Sequence, residues 1–124
     1  MKHLFIPVEK NDVSAALDFY LYRLNGTEMI FEKKCYLSDA FVIHHKELFV
    51  NINVYIQNFN KSGNKIDYHG KTIIPPASVK IIYDRLCSNR VLLFKLKLYR
   101  ESRNFLTMIQ YSLRNDLFIV HLGV

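Results

Sequence analysis

The chain has 124 residues, half of them hydrophobic and 23% charged, which suits one domain with a packed core and excludes a disordered chain. No apolar run approaches the ~18–20 residues that span a bilayer, and residues 1–7 are too short for a signal-peptide core, so a cytoplasmic protein is expected. Net charge is +6 and unevenly placed: residues 1–62 hold seven Lys or Arg against seven Asp or Glu, residues 63–124 ten against four, so the second half should attract phosphates, carboxylates or acidic proteins.

In chain order, residues 4–8 predict a strand, with Pro7 suited to an edge or a strand end. Asn11 and Asp12 offer N-cap chemistry to a helix. Its apolar positions, Val13, Ala16, Leu17, Tyr20, Leu21 and Leu24, share one face, and Asn25-Gly26 ends it. Three strands are expected next, over residues 29–36, 40–44 and 48–59, with a turn through His45, Lys46 and Glu47. In the third, Leu48, Val50, Ile52, Val54 and Ile56 alternate with Phe49, Asn51, Asn53 and Tyr55. Residues 60–65 read as a loop.

The pattern then repeats. A strand lies within residues 66–74, and Pro75-Pro76 lead into a helix with Val79, Ile82, Tyr83 and Leu86 on one face, stopped by Ser88-Asn89. Three more strands are expected over residues 91–100, 105–113 and 117–122, joined by turns at 101–104 and 114–116. The expected fold is one α+β domain over residues 1–124, made of two tandem β-α-β-β-β units of about 1–62 and 63–124. Cys35 and Cys87 lack a CxxC spacing and are expected as reduced, buried thiols. His44-His45 beside Glu47 reads as a solvated hairpin tip. No Gly-rich phosphate loop, HExxH or GxSxG occurs, so the sequence gives catalysis no positive support. Arg85, Arg90, Lys95, Lys97, Arg100 and Arg103 cluster among aromatics, but without a nucleic-acid-binding motif, so nucleic acid is not the expected partner.

Several short motifs, in this order, resemble the vicinal-oxygen-chelate superfamily of glyoxalases, bleomycin-resistance proteins and dioxygenases. Ile6-Pro7-Val8, Asp12-Val13, Ala16-Leu17-Asp18-Phe19-Tyr20 and Arg23-Leu24 are similar to its opening strand and helix. Phe41-Val42-Ile43 and Glu47-Leu48-Phe49-Val50-Asn51 look like its hairpin, Ser78-Val79 and Tyr83-Asp84-Arg85-Leu86 like its second helix, and Arg114-Asn115-Asp116 like its last turn. The resemblance implies a curved mixed sheet around a concave pocket, helices on the convex face, and frequent homodimers.

On that implied frame, alternation sends Leu92, Phe94, Leu96 and Leu98 to the core. The pocket would then present Asn51, Asn53, Tyr55, Lys71, Lys95, Lys97, Tyr99, Tyr111 and His121, with Tyr55, Tyr99 and Tyr111 as stacking candidates. Metal-dependent members carry four His or Glu ligands, and the matching positions here fall on His3 or Phe5, on Asn51, on Lys71 with His69 two residues away, and near His121 or Val120. A protonated lysine cannot donate to a metal and an amide is a weak ligand, so no metal cofactor is expected; were one held, His3, His69 and His121 would hold it. The expectation is thus a non-metal protein of the resistance type that sequesters an anionic or aromatic compound in the cytoplasm, with no membrane partner. The alternatives are a metal-dependent lyase, transferase or dioxygenase of the same fold, and an inhibitor or immunity-type module that covers an acidic protein partner.

Overall fold

The computed structural model describes residues 2–19 and 33–123; the side chains of residues 96–98 lie outside that description. Strand β1 (Lys2–Val8) passes through a 3-10 turn (Lys10–Asp12) into α1 (Val13–Leu17). After β2 (Cys35–Ser38) comes α2 (Asp39–His44), whose N-cap Ser38 accepts a hydrogen bond from the Phe41 N–H at 3.1 Å. A second 3-10 turn (Lys46–Leu48) precedes β3 (Val50–Ile56), β4 (Ser62–Lys65) and β5 (Lys71–Ile74). Three helices then run in succession, α3 (Pro76–Ser88), α4 (Arg90–Leu98) and α5 (Arg100–Arg114), before β6 (Phe118–Leu122). Among these elements no helix is long and apolar enough to cross a membrane.

The six strands form one sheet in the order β2-β1-β6-β5-β3-β4, and every neighbouring pair is antiparallel. Strands from the two halves of the chain therefore interleave, with β6 and β5 lying between β1 and β3. Period-2 alternation gives the sheet two apolar faces. Phe5, Ile74 and Ile119 point to the face covered by α2–α5, where they join Phe49, Ile82, Leu86, Phe105 and Ile109 in the larger core. Leu4, Ile6, Val8, Ile73 and Val120 point to the other face and pack with Val13 and Ala16 of α1 and with Phe19.

The α+β class, the opening strand, the Pro-led helix and the last strand match the sequence reading. The tandem β-α-β-β-β arrangement does not: the second half runs β5-α3-α4-α5-β6, and the expected mixed sheet is antiparallel throughout. Residues 91–98 and 105–113, expected within strands, are helical, as are the expected turn at 101–104 and the expected strand at 40–44, with Tyr99 extended between α4 and α5. The cause in α5 is a 3.6-residue stripe, Ser102, Phe105, Leu106, Ile109 and Ser112, set among good helix formers. In α4 the Asn89 side chain accepts from the Leu92 N–H at 3.0 Å and starts the helix; Leu and Lys, which favour helix, follow it in an alternation that mimics a strand. Leu92 is buried as expected, whereas Phe94 is 63% exposed. The expected loop at 60–65 contains β4, and Cys87 is exposed while Cys35 is buried, both as free thiols. The helix expected over 13–24 and the strand over 29–36 fall partly outside the described residues.

Candidate functional site

The interleaved sheet brings two histidines together inside the larger core. His3 on β1 and His121 on β6 are both fully buried, with His3 Nδ1 2.8 Å from His121 Nε2. The other ring nitrogen, His3 Nε2, lies 3.1 Å from Oδ1 of Asp39, the first residue of α2. A carboxylate accepts only, so in a neutral His3 ring Nε2–H donates to it and Nδ1 accepts from His121 Nε2–H, the tautomer assigned from this network. His121 Nδ1 is then a buried acceptor without a partner. Burial, and secondarily the neighbouring His3, pushes the His121 pKa down to about 3. Phe5 closes on His121 at 4.9 Å between ring centroids, and the Tyr68 ring meets His3 at 4.8 Å. Because His3 spends both nitrogens on its neighbours, Asp39, His3 and His121 form a row and do not converge on a common point. Among the described residues no group of three His, Cys, Asp or Glu side chains is arranged to hold a metal ion.

Tyr68 also lines an open cleft of about 580 Å³ on the outer side of this row. Its apolar wall comes from Val42 and Ile43 of α2, Phe49, and Val50 and Ile56 of β3. Lys46, Lys61 and Lys65 lie around it, and Asp67 is the one acidic residue in the lining. Local backbone chemistry shapes the wall. The β3–β4 register shifts between Val50 and Val54, and Asn51 takes φ 55°, which turns Phe49 inward with Ile52 rather than away from it. Arg85 of α3 holds this bend: its guanidinium donates to the carbonyls of Glu47 at 2.9 Å and Val50 at 2.6 Å, and at 3.3 Å to that of Asn51. Gly63 keeps the β4 side hollow, since a Cβ there would sit 2.9 Å from Cγ1 of Ile56.

The residues expected to share one pocket are dispersed. Asn51 and Asn53 are exposed on β3, while Tyr55 faces the smaller core and meets Phe59 at 5.2 Å. Lys71 and His69 border a separate hollow near Phe19. His69 is exposed there, with its ring against Tyr68 at 4.7 Å, whereas His3 and His121 are buried. Lys95 and Tyr99 border another hollow with His44, His45 and Glu101. Tyr111 is half-buried on α5, with Lys33 Nζ 5.5 Å from its ring centroid, and the Lys97 side chain lies outside the described residues. Of the residues singled out, the structure brings His3 and His121 together. The sequence reading missed Asp39 and Tyr68 in the row, and Lys46, Lys61 and Lys65 at the cleft. Ser38-Asp39 carries a helix-start signal that could have placed Asp39; nothing in linear spacing marks the lysines. Cys35, in β2, is buried, and burial, then the charge of Glu101, raises its pKa to about 12, which keeps the thiol protonated.

Compared with protein-family models, curated proteins and solved structures, the chain has no significant match in any of the three.

Proposed function

We propose that this chain binds a small organic molecule whose anionic group is joined to an apolar or aromatic body, in the cleft between α2, the β3–β4 hairpin and residues 66–68, without a bridging metal. The supporting observation is the pairing of an apolar wall with three lysines and a single carboxylate. A cleft of about 580 Å³ falls in the size range of small-molecule sites, ~300–1,000 Å³. Val42, Ile43, Phe49 and Ile56 offer a surface for the apolar body, and the ammonium groups of Lys46, Lys61 and Lys65 favour a carboxylate, sulfonate or phosphate. The ligand class is the one expected from the net positive charge, but two of the three lysines, Lys46 and Lys61, lie in the half of the chain whose charges balance.

The test is a fluorescence titration with 1-anilinonaphthalene-8-sulfonate, followed by competition with laurate and with uncharged dodecanol. Laurate should displace the probe and dodecanol should do so at least about tenfold less well. The double variant Lys61→Glu/Lys65→Glu should weaken laurate binding by about tenfold with the thermal midpoint unchanged. Equal competition by laurate and dodecanol, together with no effect of the charge reversal, would remove the reading.

A further inference from the structure

The second apolar and charged feature of the surface lies on α4. Positions 90, 91, 94 and 95 fall within one side of this helix, opposite the buried Leu92 and half-buried Leu93. Val91 is 66% exposed, Phe94 63% and Tyr99, just past the helix end, 64%. Arg90, Lys95 and Arg100 are exposed beside them, and residues 89–100 contain no Asp or Glu. The result is a strip on which large apolar side chains and cations alternate, with no acidic group within residues 89–100 and with Glu47 and Glu101 at its borders.

We infer that α4 is a docking surface for an anionic lipid bilayer, lying in the interface plane with Val91, Phe94 and Tyr99 turned toward the acyl boundary and Arg90, Lys95 and Arg100 toward the headgroups. Aliphatic and aromatic residues flanked by cations on one helix face fit that chemistry, in which apolar burial and attraction to anionic lipid add. A second copy fits less well, because two such strips would bring together six cations, Arg90, Lys95 and Arg100 of each, with only the bordering Glu47 and Glu101 to offset them. Nucleic acid would use the cations and an aromatic ring, but has no comparable use for Val91. The expectation of no membrane partner rested on the lack of a spanning segment, and an interfacial helix needs none.

Sedimentation with vesicles tests the inference on the full chain. Vesicles of equal phosphatidylcholine and phosphatidylglycerol should carry the protein down at 100 mM salt, and pure phosphatidylcholine should not. Phe94→Ser should weaken the partition by about tenfold, and Arg90→Glu/Lys95→Glu by more than about twentyfold. All three positions are exposed, so unchanged circular dichroism and thermal midpoints would keep the comparison free of misfolding. Lys61→Glu/Lys65→Glu, which tests the cleft, should still sediment, so the two readings fail separately. No binding to the anionic vesicles overturns the inference. So does a dimer, seen by analytical ultracentrifugation, that Phe94→Ser dissociates, or single-stranded RNA binding that the charge reversal abolishes and Phe94→Ser leaves intact.

Discussion

Replacing His121 by Gln should flatten the pH dependence of stability. The native ring is fully buried and its pKa is pushed down to about 3, against 6.5 when free in the unfolded chain. Between those values the unfolded state binds a proton that the native state refuses, so stability rises with pH across this window. The contribution is complete above about pH 6.5 and is lost progressively as pH falls toward about 3. From a shift of this size, the loss between pH 8 and pH 5 is about 2 kcal/mol, and about 4 kcal/mol by pH 3. A Gln amide can still donate to His3 Nδ1 but cannot titrate, so His121→Gln keeps the hydrogen bond and removes the proton linkage. Urea unfolding of both proteins at pH 8 and pH 5 should show the variant losing about 2 kcal/mol less than the parent on acidification. Titrating groups away from the His3–His121 pair are common to both proteins and cancel in the difference. Equal losses in the two proteins would refute the buried, neutral assignment of His121.

Arg85→Met keeps an apolar stem but strands the carbonyls of Glu47 and Val50, and should cost about 2–3 kcal/mol in chemical denaturation. Gly63→Val should fill the β4 side of the cleft and raise the probe Kd by at least about tenfold while shifting the thermal midpoint by only a few degrees. Phe105→Ala removes a fully buried ring that meets Phe5 at 5.7 Å and Phe49 at 6.0 Å, and should cost about 3–5 kcal/mol by urea unfolding. Leu106→Ala should also destabilise, because a helix buries both neighbours, whereas a strand would send one of them to the opposite face.

How far the sequence could be read depended on whether a segment's pattern had one physical meaning. β1 and α3 were legible because their signals agree: a short apolar run bounded by charge, and a proline entry followed by an apolar face. α4 was not, because Leu92, Phe94, Leu96 and Leu98 satisfy a two-residue period that also fits a strand. For α5 the helical stripe from Phe105 to Ile109 was present, and the resemblance to a repeated strand meander outweighed it. In the sequence His3 and His121 stand out together only as ligands, with His69, of a metal site that is not expected; their pairing depends on the folded sheet and on Asp39, which reaches His3 only through the α2 turn. The cleft lysines come from α2's end, the β3–β4 connection and β4, and only the folded hairpin makes them neighbours.

The placement of β6 has a kinetic consequence. β1 pairs on one edge with β2 and on the other with a strand at the far end of the described chain, and the His3–His121 contact spans 118 positions. β5 likewise reaches β1 only through β6. Contacts so distant in sequence are slow to form, because the chain between them must first give up its freedom. Before β6 docks, β1 and β5 each offer an open edge, and the β3–β4 hairpin with its cleft can assemble from local contacts alone. In refolding, the docking of β6 between β1 and β5 should therefore be the slow event, the one that joins the β2–β1 pair to the β5–β3–β4 side and buries the two histidines together.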